Sequence, residues 1–472
     1  MTVDYDGVII GGTVQGRKAA ALAAREGARV ALVEPPGAVD RAIHHQIWLT
    51  ALAQAGAKEN FGWDRLKCQV SALAAIAYPH LHLDCLATSG VDVVLEPGQF
   101  SPRPQLAVTT LSRRLRSRGY LLAPGTEVTV PEIPGLAETP YLTIDRLLAL
   151  ERLPESAVVL GRSGEAIALA QALALLGTRT TLVTRGDTLL PTEDADMSAF
   201  VAALLEAAGV TLQLGTELEH IHYKAGFELS LNQGDAISEP LSAAALVLAT
   251  ASHPVLEGLN LSAVGIQPKT IHGNPTMLPV DDRLATAHPR VFACGPALGG
   301  YWADATDHSD VAIALHNLLY LPWRKFSHLN RPALLPTAPE YARLGLTAAQ
   351  ARRWYGSAAT VVQVPFGQVL KAHYGDDITG FCRWIVRDDG QILGAQICGP
   401  GASELMHTVA LAVHQRIPLQ RLEQVPTLSP SLAAMVPAMV DSWQQQRWHQ
   451  GTWRRDWAEN WFNWRRTRRR RS

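Results

Sequence analysis

The chain has 472 residues, 47% hydrophobic and 18% charged, with 42 Lys+Arg against 43 Asp+Glu and a formal net charge of −1. That length supports two to four domains and a large core, and the near-neutral balance excludes a polyanion-binding role for the chain as a whole. The five cysteines (Cys68, Cys85, Cys294, Cys382, Cys398) are scattered without CxxC or CxxxxC spacing. This excludes a disulfide framework or zinc site, points to a reducing compartment, and leaves all five expected as buried thiols.

The first element, "DGVIIGGTVQGRKAAALAAREGARVALVEP", reads as an apolar strand, a Gly turn, an Ala-rich helix and a second strand ending at Glu34. A continuous apolar run suits a parallel strand buried on both faces. No secretory signal is expected from the early apolar strand, and no apolar run in the sequence is long enough to span a bilayer. A cytoplasmic location is expected, with peripheral attachment to the inner face of a membrane as its variant. In a G-x-G-x-x-G turn the backbone bends sharply, approaches a pyrophosphate and packs helix on strand. Here Gly11, Gly12 and Gly16 supply the turn and the packing glycine. Thr13 takes the close-approach position, where its hydroxyl can bond a phosphate or its bulk can crowd one. Glu34 is placed to accept from ribose hydroxyls. Two readings stay open: FAD binds here, or the layer keeps its shape without a ligand.

Residues 35 to 67 contain no cysteine, and His44, His45 and Trp48 stand in this stretch. A histidine beside a flavin is a candidate proton donor and Trp48 a candidate stacking partner; the preferred alternative has all three filling space. In "YPHLHLDC" a helix would put His80 and Asp84 on one face and His82 on another, so no metal site is expected.

The first pattern returns at "SAVVLGRSGEAIALAQALALLGTRTTLVTRGD", with Gly161, Ser163 and Ala166 at the three turn positions. Its second strand ends in Thr184-Arg185. No acid is there to repel a 2′-phosphate and a guanidinium is there to pair with one, so NADP(H) is expected over NAD(H). The alternative is a surface arginine. From about residue 333, "VVQVPF", "GFCRWIVRDD" and "QILGAQICG" read as strands followed by the helical run "ASELMHTVALAVHQR", an α+β module.

In their order, these segments resemble the class I pyridine nucleotide-disulfide oxidoreductases, mercuric reductase and dihydrolipoamide dehydrogenase in particular. "PYLTIDRLLALERLPESAVVLG" resembles the start of the NAD(P)H domain, "DDRLATAHPRVFACG" the second flavin segment, and "PTAPEYARLGLTAAQARRWYG" the dimerisation domain. The resemblance implies an α/β chain with two Rossmann-like FAD/NAD(P)-binding domains and a C-terminal α+β dimerisation domain, together with FAD, NAD(P)H and a homodimer. Its boundaries would be 1–150 and 266–330 for the FAD domain, 151–265 for the NAD(P)H domain, 331–440 for dimerisation and 441–472 for a basic tail.

The departures fall on the chemistry. The redox pair CxxxxC is missing, and without two thiols electrons cannot pass from flavin to a disulfide. The lysine that follows the pair has no match in residues 47–53, and its glutamate partner's position holds Ala168. The general-acid histidine's position is Val425, which cannot transfer a proton. The Gly-Asp that grips the ribityl chain reads Gly295-Pro296. Of the two "ATG" turns, Ala123-Pro124-Gly125 keeps its glycine and Ala249-Thr250-Ala251 does not. Dithiol and mercuric reduction are therefore expected to be absent. Two functions remain: an FAD-dependent NAD(P)H oxidoreductase with a non-disulfide acceptor, towards which the reading leans, or a cofactor-poor dimeric pseudoenzyme that docks a membrane or partner.

Beyond residue 441, Trp453, Trp457, Trp461 and Trp464 fall at helical spacing among Arg454, Arg455, Arg465, Arg466 and Arg468 to Arg471. This composition suits an anionic membrane surface, with a protein partner or a solvated tail as alternatives and nucleic acid ranked lower.

Overall fold

The computed structural model describes residues 3–36, 47–48, 50–52, 62–76, 78–233, 236–237, 240–271, 274–299, 309–450 and 452–469. His44 and His45 lie outside the described residues. The chain forms two compact units: residues 1–328 with 335–338, and 329–334 with 339–472.

The first unit repeats one plan. Its first parallel sheet runs Asp92–Val94, Val30–Val33, Tyr5–Ile10, Ser117–Leu122, Val291–Ala293. The second runs Thr211–Gln213, Arg179–Val183, Ser156–Leu160, Ala245–Leu248, Leu142–Thr143, also parallel. In each sheet the first strand of the βαβ unit is central, and its apolar run is buried: Val8, Ile9 and Ile10 in one, Val158 and Val159 in the other. The crossover helices are Val14–Arg25 and Gly164–Leu175. The strand Val291–Ala293, far along the chain, joins the first sheet beside Ser117–Leu122.

In the second unit, strands Tyr341–Gly345, Ile392–Cys398, Phe381–Arg387 and Ala359–Pro365 are antiparallel neighbours in that order. Helices Ala402–His414 and Met435–Gln450 complete one core with them, in which Trp384, Leu405, Met439 and Trp443 are buried together. A last helix, Thr452–Arg469, follows. Among the described residues, no helix is long and apolar enough to cross a membrane.

Two expectations need correction. Cys294, Cys382 and Cys398 are buried, but Cys68 and Cys85 are exposed, because each lies on the outer side of a short helix. His80 and Asp84 do not share a helix. Extended backbone at His82 separates the 3₁₀ turn Pro79–Leu81 from the helix Leu83–Thr88.

Candidate dinucleotide-binding site

The two Gly turns are built alike. Gly11 N–H donates to Val33 O (2.9 Å) and Gly161 N–H to Val183 O (3.1 Å). Both glycines have positive φ, +117° and +148°, and a Cβ would strike Ala123 O at 1.9 Å or Ala249 O at 2.1 Å. Only glycine fits such a position. Thr13 Oγ1 donates to Ala123 O (3.0 Å) and accepts from Gly16 N (3.2 Å). Ser163 Oγ repeats this with Ala249 O (2.9 Å) and Ala166 N (3.1 Å). Each hydroxyl therefore caps its helix and ties it to the neighbouring strand's exit. That bond consumes one N–H of the helix end and leaves the rest of the turn to other partners.

What covers the turns differs. Around the first, Gly12, Thr13, Val14, Gly16 and Arg17 are all buried. Glu34 is 0% exposed and forms an ion pair with Arg17, itself 2% exposed: Nη2 to Oε1 is 2.9 Å and Nε to Oε2 is 3.4 Å. Arg17 Nη1 also donates to Leu81 O (2.7 Å). Val14 and Leu81 pack together, with Ala21 and Tyr78 beside them. The turn Pro79–Leu81 thus sits on the stripe Val14, Arg17, Ala21 and encloses the carboxylate. A Cβ at Gly12 would meet Glu34 Oε2 at 2.1 Å.

The second turn is open. Arg162 is exposed, and Gly161, Ser163 and Gly164 are partly so. The Arg162 guanidinium lies over Gly186, where a Cβ would come within 2.4 Å of Nη1. Arg185, one residue earlier, makes a surface pair with Glu217 (2.9 Å). Two guanidiniums therefore stand where the second strand ends. Glu165, in the first turn of the helix Gly164–Leu175, is buried, and burial with the added charge of Asp145 pushes its carboxyl up to about 7.

The flanking candidates fall as follows. Trp48 is buried against Trp63 (ring centroids 5.4 Å apart), whose Nε1 donates to Leu150 O. Gly295 N–H donates to Asp310 Oδ2 (2.6 Å), so a carboxylate 15 residues further on stands beside the Gly295-Pro296 turn. Gln15 packs against Gly295, its Cγ 3.1 Å from where a Cβ would be. Gly125 has open space around it. Burial, with Asp310 behind it, pushes the Cys294 thiol well above its usual range, so it is no thiolate nucleophile. Ala168 is buried and Val425 is exposed. Among the described residues, no group of three or more His, Cys, Asp or Glu could hold a metal ion. Sequence reasoning missed Arg17, Arg162, Glu165 and Asp310. A basic residue one turn into an Ala-rich helix, and another directly after a turn glycine, were the signals that could have found the first two.

Two parallel sheets with paired glycine turns define a double-dinucleotide fold. Residues 5–313 match the family model for pyridine nucleotide-disulphide oxidoreductases, and residues 331–440 match that family's dimerisation domain. The chain belongs to the class I pyridine nucleotide-disulphide oxidoreductase family, whose members bind FAD. It is 25% identical over 437 residues to a mercuric reductase of Staphylococcus aureus, covering 89% of this chain and 79% of that protein. To a mercuric reductase of Acidithiobacillus ferrooxidans it is 31% identical over 311 residues, 64% of this chain and 53% of that one. Its fold is that of the HOCl-induced flavoprotein disulfide reductase RclA of Escherichia coli (TM-score 0.79, 23% identity, 93% and 99% of the two chains). LpdA of Mycobacterium tuberculosis is equally similar in fold (TM-score 0.80, 21% identity, 92% and 99% of the two chains).

The residues of the first turn, as they stand, do not fit FAD. The carboxylate that would accept from a ribose already has Arg17 on both oxygens and is closed off from solvent. The second turn is partly open to solvent at Gly161, Ser163 and Gly164, and Arg162 and Arg185 flank the strand end.

Proposed function

We propose that this chain is a dimeric, NADP(H)-binding member of its family that has lost both the dithiol relay and the resident flavin, and serves as a nucleotide-binding scaffold. One observation carries the reading: of two turns built alike, the first is filled by the buried Arg17–Glu34 pair and the second is open. The missing cysteine pair in residues 35–67 agrees with it. Arg185 and Arg162 would meet the 2′-phosphate, and Ser163 with the helix N-terminus the pyrophosphate. The surface pair Arg185–Glu217 is worth little in water, so a phosphate displaces Glu217 at small cost. Residues 331–440 would make the homodimer.

A second reading has family membership in its favour: a flavoprotein that passes electrons from NADPH through FAD to a quinone, oxygen or protein acceptor. Visible absorption of the purified protein, before and after excess FAD, separates the two. A colourless protein that takes up no flavin is expected. Titration with NADPH should give saturable binding that Arg185→Gln weakens about tenfold, the loss of one charge-assisted phosphate contact. A stoichiometric flavin spectrum that bleaches anaerobically with NADPH would establish the second reading.

A further inference from the structure

We propose that the helix Thr452–Arg469 docks on the surface of an anionic lipid bilayer, with an indole stripe at headgroup depth and arginines on the lipid phosphates. This stands apart from the cofactor reading and holds whether or not the first turn takes flavin.

Trp457, Trp461 and Trp464, at i, i+4 and i+7, share one face of this helix. Their rings stack in sequence at 5.9 and 5.1 Å, with interplanar angles of 6° and 28°. The three indoles are 59%, 42% and 45% exposed. Every side chain from Glu459 to Thr467 is exposed as well. A helix of 18 residues gains little stability from an exposed half, and a contiguous aromatic patch on its surface marks a place where something binds.

The choice of a lipid surface rests on charge and on ring geometry. Residues 452–472 hold eight arginines (Arg454, Arg455, Arg465, Arg466 and Arg468 to Arg471) against Asp456 and Glu459. Helical spacing sets Glu459 off the indole stripe. Indoles beside guanidiniums suit the boundary between headgroups and acyl chains, and the arginines supply attraction to anionic lipid. Trp461 stacks on Trp457 on one side and on Trp464 on the other, so its ring faces are already engaged. Stacking on bases needs free ring faces, which this arrangement uses up within the stripe.

The test is co-sedimentation of the full chain with phosphatidylcholine vesicles and with mixed phosphatidylcholine–phosphatidylglycerol vesicles. Binding to the mixed vesicles should be at least about tenfold tighter and should weaken with salt. Trp457→Ser/Trp461→Ser/Trp464→Ser should lose it, and so, independently, should Arg465→Gln/Arg466→Gln, with thermal unfolding of the main body unchanged in both. Equal binding to the two vesicle types, or none, overturns the proposal. So does retention by an RNA or DNA oligonucleotide without vesicle binding, which would make the helix a nucleic-acid contact. A change of oligomeric state in the tryptophan variant, again without vesicle binding, would also overturn it and assign the stripe to a second copy of the chain.

Discussion

Glu165 is a carboxyl buried in the first turn of the helix that follows the open Gly161 turn, and burial together with the charge of Asp145 raises its pKa. Its folded value of about 7 lies above the ordinary 4.5, so between those two pH values the native state holds a proton that the unfolded chain has released. Stability therefore falls as pH rises through this window and levels off above about 7. The full drop is of the order of 3 kcal/mol, at about 1.4 kcal/mol per pH unit. Glu165→Gln should remove it, and melting temperatures from pH 5 to 8 check this: a flatter profile with the variant more stable at pH 8 is expected, and parallel profiles would show that Glu165 does not titrate there. None of this was legible in the sequence, because nothing local announces the burial of Glu165 or the approach of Asp145, 20 residues earlier in the chain. Gly11 and Gly161 were legible, because a strand exit that collides with a Cβ demands glycine whatever surrounds it.

At the scale of elements, Arg17 joins three pieces of chain: the helix Val14–Arg25, the strand end at Glu34 and the turn Pro79–Leu81. Removing one member of a buried ion pair strands a charge and costs about 3–5 kcal/mol, while replacing both by apolar residues is often close to neutral. Arg17→Met should therefore destabilise by about that amount, and Arg17→Met/Glu34→Leu should recover most of the loss. Denaturant unfolding of the wild type, both single variants and the double variant closes the cycle. Additive losses would mean the two residues act separately. The strands and crossover helices themselves could be read from the sequence, since apolar runs and an Ala-rich amphipathic segment are local signals. The covering turn could not: Arg17 and Leu81 are 64 residues apart, and nothing in either neighbourhood announces the contact. The same distance effect hid Asp310 behind Gly295-Pro296.

For the whole molecule, the order of segments made the family legible before any geometry was known, and the matches over 5–313 and 331–440 agree with that order. The absence of cysteine from residues 35–67 can be read directly in the sequence, whereas the burial of the Arg17–Glu34 pair cannot. The dimerisation domain leads to one further expectation: sedimentation velocity should give a dimer that Trp457→Ser/Trp461→Ser/Trp464→Ser leaves intact, because the indole helix lies beyond the matched 331–440 segment. A monomer would mean that residues 331–440 keep the domain's fold without its contact. The Arg17–Glu34 pair has a consequence at this scale too. A flavoenzyme usually draws part of its stability from its cofactor, so that its abundance follows vitamin supply. On the proposed reading, in which Arg17 completes the crevice, this chain would mature independently of flavin, and its cellular level would follow its synthesis and its own fold.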